Sequence, residues 1–211
     1  MTKTTSSFFF IFLFLSPIFL SAQKPLKDPS GFKKQFAETS SNTNSIESDF
    51  LQEKHLTMMS ETIKTKGKFY FRKENKLRWE YTSPFKYLVI LNNGKAYIKD
   101  ENKQNKFDIQ SNKMFGEINT ILMGSVQGTL LKDEKNFTAT YFETKDAWIV
   151  RLKPRASRLS SFLSEIVITF DKINCSVTRL EMLEPAGDFT VINFTSKKTN
   201  TLTNDEKFLI P

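Results

Sequence analysis

The side chains that can do chemistry are few. The sequence holds one cysteine and one histidine, and a thiolate nucleophile, a general base or a metal centre each needs partners within reach. Cys175, in "ITFDKINCSVTRL", falls at a turn between two strand-like runs. It has no second cysteine for a disulfide, so packing alone must stabilise the fold; a small, partly buried apolar role suits it better than that of a reactive thiol. His55, in the alternating run "SDFLQEKHLTMM", has no second imidazole or thiol with which to share a metal and no G-x-S-x-G element to serve. It reads as a solvent-side strand residue. The run "RLKPRASR" sets Arg151, Lys153, Arg155 and Arg158 close together, which suits an acidic protein surface, anionic lipid headgroups or a plain solvated face. No nucleophile with its base and no metal set can be read. The expectation is a binding protein and not an enzyme, with no catalytic residue, metal or cofactor.

Composition narrows the setting. Residues 1–22, "MTKTTSSFFFIFLFLSPIFLSA", carry one lysine, an uncharged apolar run from Phe8 to Leu20, and then Ser21 and Ala22. This is the pattern of a cleaved signal peptide; the apolar run contains Pro17 and falls short of the roughly 20 residues that span a bilayer. No cysteine follows the cleavage point, so the expected mature chain is not itself lipidated and works outside the cytoplasm. The formal charge of +8 drops by the one charge of Lys3, leaving a basic chain over residues 23–211, a length that suits a single domain. A basic surface attracts nucleic acid, anionic membranes or acidic proteins. Secretion argues against nucleic acid, and the basic residues are spread over most strands instead of being interleaved with exposed aromatics in one groove.

The elements that must position these residues are mostly strands. "KPLKDPSGFKKQFAETS" predicts a short helix with Phe32 and Phe36 four apart and Asp28 or Ser30 as cap. From Ser45 to Thr57 and from Thr62 to Phe71 the alternation predicts a long hairpin joined near Ser60 and Glu61. "NKLRWEY", "FKYLVILN" and "KAYIKD" follow, the last two around an Asn92-Asn93-Gly94 turn, with "KFDIQ" as a weaker strand. In "NKMFGEINTILMGSV" the period changes: Met114, Ile118, Ile121, Leu122 and Val126 recur at helical spacing, with Ser111 or Asn112 as cap. Strands resume in "NFTATYFET", "AWIVRLKP", "SEIVITFD", "SVTRLEML" and "DFTVINFT", with a helical piece "ASRLSSFL" between the second and third. The fold class is mainly β, an antiparallel sheet or barrel of about 10–11 strands with few helices.

One stretch is richer in large apolar side chains than a thin core needs. "FYFRKENKLRWEYTSPFKYLVILNNGKAYI", residues 69–98, brings Phe69, Phe71, Leu77, Trp79, Tyr81, Tyr87, Val89 and Leu91. With "DFLQEK" at 49–54, "GKFYFRKENKLRWEYTSP" at 67–84 and "VILNNGKAYIKD" at 89–100, and with the weaker "LKPR", "ITFD" and "KFLIP" further on, it resembles the LolA family of periplasmic carriers of outer-membrane lipoproteins. The resemblance implies a half-open, strongly curved antiparallel barrel with a helical lid over an apolar cavity. It makes those eight residues, with Met114, Ile118, Ile121 and Leu122 of the lid helix, the wall of a lipid-binding cavity; Met58, Met59 and Met123 are flexible enough to join them. It further implies a basic residue, Lys73 or Arg72, that latches the lid through carbonyls of the 112–126 helix. The implied partners are acylated outer-membrane lipoproteins, an inner-membrane ABC-type release complex, and an outer-membrane receptor or membrane surface, with the carrier itself a monomer. A carrier of another acylated lipid or glycolipid, or a lipoprotein-sensing regulatory domain, is the alternative.

Overall fold

The computed structural model describes residues 23–59 and 61–211, without the side chains of 113–115, 117–119 and 122. The expected signal peptide and the side chains of Met114, Ile118 and Leu122 lie outside the described residues. Among the described residues three helices, α1 (Ser30–Asn42), α2 (Lys113–Gln127) and the single turn α3 (Ser157–Ser160), accompany twelve strands. In chain order the strands are β1 (Lys24–Pro25), β2 (Ser45–Leu56), β3 (Glu61–Arg72), β4 (Lys76–Ser83), β5 (Tyr87–Asn92), β6 (Lys95–Lys99) and β7 (Gln104–Asp108). After α2 come β8 (Phe137–Glu143), β9 (Ala147–Pro154), β10 (Glu165–Asp171), β11 (Val177–Leu183) and β12 (Phe189–Thr199).

All twelve belong to one sheet, ordered β1-β8-β9-β10-β11-β12-β2-β3-β4-β5-β6-β7, and each neighbouring pair is antiparallel. The sheet does not close on itself; it is a half-open, curved barrel. Eleven strands coincide with runs read from alternation. The twelfth, Lys24–Pro25, pairs with β8, and two residues have no periodicity to read.

Register explains the aromatic stretch. Across β2 to β5 the rungs are Ile46–Phe71–Leu77–Leu91, Ser48–Phe69–Trp79–Val89 and Phe50–Gly67–Tyr81–Tyr87, so all eight apolar candidates of residues 69–98 share one face of the sheet. Gly67 keeps its place for a steric reason. A Cβ there would lie 2.1 Å from the Glu80 carbonyl and 2.4 Å from the Phe50 ring, and that ring packs on Trp79 at 4.6 Å and Tyr81 at 5.3 Å.

The same face carries the core against which the helices pack, running from Phe69, Trp79 and Leu91 through Ile192 and Leu180 to Ile166, Ile168, Val150 and Leu152. On the opposite face Tyr70, Ile90 and Tyr97 stand on one rung with Arg78 and are buried as well. There the C-terminal 3-10 turn packs on β4 and β5, with Phe208 fully buried. The Phe208 carbonyl accepts from Asn92 Nδ2 at 3.1 Å, and Lys207 stands over the Tyr70 ring.

Candidate functional site

Helix α1 crosses the concave face and has two unlike halves. The Ser30 N–H at its start donates to Asp28 Oδ1 at 2.9 Å, one of the orphan amides of a helix terminus. Phe32 and Phe36 then project from one side and stack at 5.9 Å. Phe32 meets Trp148 at 5.3 Å and Phe170 at 5.1 Å, and Phe36 meets Phe170 at 4.9 Å. From Thr39 to Asn42 the helix has no apolar side chain. Ser41 and Thr43 turn their hydroxyls back onto the Glu38 and Thr39 carbonyls, which weakens the helical preference of that last turn.

Beneath this polar half lies a cavity of about 250 Å³, slightly smaller than the ~300–1,000 Å³ of typical ligand pockets. Phe36, Thr39, Ser40 and Thr43 roof it; Ile46, Ser48, Phe69, Trp79, Leu180 and Phe194 form its sheet wall; Ser125 and Val126 close it from the last turn of α2. Asn174 and Thr199 line it too and are exposed, which places its mouth by the β10–β11 turn and the end of β12.

Of the residues named from the sequence, Phe69 and Trp79 line this cavity. Phe71, Leu77 and Leu91 lie further along the same face inside closed core. Tyr81, Tyr87 and Val89 are half-buried beyond Trp79. Burial raises the pKa of the Tyr81 hydroxyl, which donates to Gln52 Oε1 at 3.0 Å. Ile121 and Met123 are buried in the core beside the cavity, whereas Met58 and Met59 are exposed at the β2–β3 hairpin tip, away from it. His55 sits on the outer face, stacked on Phe189 at 4.1 Å and bonded to the Thr62 hydroxyl. Arg151 pairs with Glu165 at 2.9 Å, and Arg155 donates to Thr138 Oγ1.

The basic turn works differently from the expected latch on α2. Arg72 alternates with inward Phe71 and therefore points outward, where its guanidinium and the Lys76 ammonium hold Asp205 of the C-terminal tail at 2.9 and 2.8 Å. Lys76, then Arg72, keep that carboxyl below the usual carboxylate range. Lys73 has left the strand, and its Nζ donates to a helix carbonyl, that of Ser41 in α1 and not one in α2. The turn reaches α2 through Asn75, whose side-chain oxygen accepts from Gln127 Nε2 at 3.0 Å, and Ser40 Oγ closes the triangle on the Gln127 carbonyl at 2.7 Å. Gly128 just after α2 lets the Phe36 ring come close: a Cβ there would sit 2.4 Å from Phe36 Cε1, and φ is +76°.

The cavity also holds polar groups that the sequence reading passed over. Lys197 lines it, and its Nζ donates to Ser176 Oγ at 2.9 Å and to the Val177 carbonyl. Burial pulls the Lys197 pKa down to about 8 against a nearby Asp171 carboxylate that acts the other way. Cys175 also lines the cavity, fully buried, with its thiol pushed up to about 12 by burial first and Asp171 second, so it is no thiolate at neutral pH. Ser48 Oγ and Trp79 Nε1 are buried without a hydrogen-bond partner among the described residues. A small polar residue in an alternating strand gives no sign of this, and Lys197 lies past the point where the alternation of β12 fails.

A half-open antiparallel barrel with helices laid across an apolar cavity on its concave face defines a class of proteins built to hold an apolar guest. The chain belongs to the LolA family: the family described as "Outer membrane lipoprotein carrier protein LolA" matches residues 41–211. No curated protein matches it significantly. Among solved structures it is similar to MucB in its own crystal structure, with a TM-score of 0.52 and 13% identity over 87% of this chain and 63% of MucB. The Pseudomonas aeruginosa MucA/MucB complex gives 0.50 and 13% over 87% of this chain and 61% of the other. The chain thus spans about three fifths of the MucB chains it matches. The Mycobacterium tuberculosis lipoprotein LppX gives 0.46 and 12%, covering 82% of this chain and 96% of that one.

Proposed function

We propose that this protein is a non-enzymatic periplasmic carrier that shields the acyl chains of lipoproteins between the inner and outer membranes. In this reading a signal peptide over residues 1–22 exports it, an inner-membrane ABC-type release complex loads it, and an outer-membrane receptor or surface unloads it. Family membership supports the lipoprotein cargo. The observation that carries the reading is the apolar cavity under a helix end held by hydrogen bonds instead of apolar side chains.

The energetics match a carrier. Water contact costs an acyl chain about 0.8 kcal/mol per CH₂, so the guest needs apolar walls throughout the crossing. The polar half of α1 is secured by Lys73, Ser40 and the Asn75–Gln127 pair, each neutral bond contributing about 0.5–1.5 kcal/mol net. Opening this end is therefore inexpensive, while Phe32 stays anchored. The cavity in its closed form has room for a segment of lipid, and a larger guest requires the roof to lift.

The test is purification from the periplasm with mass spectrometry of what accompanies the protein, followed by separate measurement of cargo loading and release. Triacylated lipoproteins that load and then pass to an acceptor membrane support the proposal; a free lipid or glycolipid points to the alternative cargo, and an empty protein that loads none contradicts it. The likeness to MucB, whose complex with MucA is known, supports a second reading as a regulatory binding domain; capture of a signalling protein in place of lipoproteins would favour it.

A further inference from the structure

The polar side of the cavity is built by a backbone irregularity. Ile192 and Phe194 of β12 point inward opposite Gln52 and Phe50, and strict alternation would bring residue 196 in next. Instead Thr195 pairs with Asp49 and Lys198 with Glu47, so Ser196 and Lys197 together stand opposite Ser48. This two-against-one bulge, with Ser196 at φ +53°, leaves Ser196 exposed and puts Lys197 on the cavity wall. Bulges re-aim side chains in this way beside binding sites. Two of the three ammonium protons are engaged by Ser176 Oγ and the Val177 carbonyl, which leaves one to donate. Among the described residues no carboxylate forms an ion pair with it. Ser48, 2% exposed, lines the same cavity, and its Oγ has no partner.

Resting on the reading of this cavity as an acyl site, we infer that, beside the ester- and amide-linked chains of lipoproteins, it takes a free carboxylate-headed acyl chain as a second ligand, whose head accepts from Lys197 Nζ and the Ser48 hydroxyl while the chain lies along Phe69, Trp79 and Phe194. The donors decide the class. An ammonium with a free N–H and an unpartnered hydroxyl both call for an acceptor, and the charge on the first favours an anion through a charge-assisted bond. A neutral head leaves the half-buried ammonium with only the Asp171 carboxylate nearby to offset its burial. The lowered pKa of Lys197 is consistent with this, since burial is its main cause and the Asp171 carboxylate offsets it only in part.

The experiment displaces a cavity-bound fluorescent dye from the mature protein with palmitic acid, hexadecanol and methyl palmitate, each below its aggregation limit. The wild type is expected to prefer the acid about tenfold or more, the effect of one charge-assisted bond. Lys197→Met is expected to bring the three within about twofold, Lys197→Arg to keep the preference, and Ser48→Ala to reduce it in part. Equal affinities in the wild type, or a preference that survives Lys197→Met, overturn the head-group assignment and leave the acyl cavity standing. Failure of all three to displace the dye overturns both readings, and the wild-type series holds even if a variant does not fold.

Discussion

The two halves of α1 cover the same sheet by different physics. At its start, Phe32 is wedged among Phe36, Tyr141, Trp148 and Phe170 in a closed aromatic cluster. At its end, Thr39, Ser40 and Thr43 stand over the cavity and are held by side-chain hydrogen bonds. A buried ring cannot leave without a cavity's cost, whereas a hydroxyl exchanges one partner for water at little loss. One helix can thus be hinge and cover together, fixed where it is aromatic and releasable where it is polar.

The largest effect expected is at the fixed end. Phe32→Ala should lower unfolding free energy by about 3–5 kcal/mol, against less than about 1 kcal/mol for Ser40→Ala, both read from denaturant midpoints at constant slope. Equal costs would erase the distinction between the halves. Next comes the joint between α1 and α2: Gly128→Ala drives a methyl into the Phe36 ring at a positive φ and should destabilise by about 1–3 kcal/mol. A neutral outcome in thermal melts would mean that the ring does not rest there.

Lys197 sharpens the comparison through pH. Its pKa falls from 10.5 to about 8 on folding, so between those values the unfolded chain binds more protons, and stability from this group rises with pH across that window. Below about pH 8, neutral pH included, it destabilises in full. Lys197→Met should therefore stabilise the protein at pH 7 by about 1–2 kcal/mol and flatten the rise between pH 8 and 10.5, as followed by melts at several pH values. The smallest effect concerns Cys175, buried on the cavity wall. Lys73→Ala frees the Ser41 carbonyl and should speed thiol labelling of Cys175 several-fold with little change in Tm. Unchanged labelling would show that Lys73 does not restrain the roof.

Much of this arrangement was legible in the sequence. Period-two alternation placed Phe69, Phe71, Leu77, Trp79, Tyr81, Tyr87, Val89 and Leu91 on one face, and the spacing of Phe32 and Phe36 gave α1. What alternation cannot show is where along that face packing ends and space begins, because that depends on where the helices land. The cavity lies mainly under α1, at Phe69 and Trp79, while Phe71, Leu77 and Leu91 fill core. The outward direction of Arg72 follows from its neighbour Phe71, yet its partner Asp205 is far away in sequence. Lys197 enters only through a bulge, which breaks the very period that would have located it.

Nature has placed one tryptophan in each region: the chain's two are Trp79 on the cavity wall and Trp148 against Phe32. Quenching by brominated acyl chains, measured in Trp148→Phe and Trp79→Phe proteins, tests the central claim most directly. The account predicts strong saturable quenching of Trp79 and almost none of Trp148. Quenching of Trp148 alone, of both equally, or of neither would contradict it.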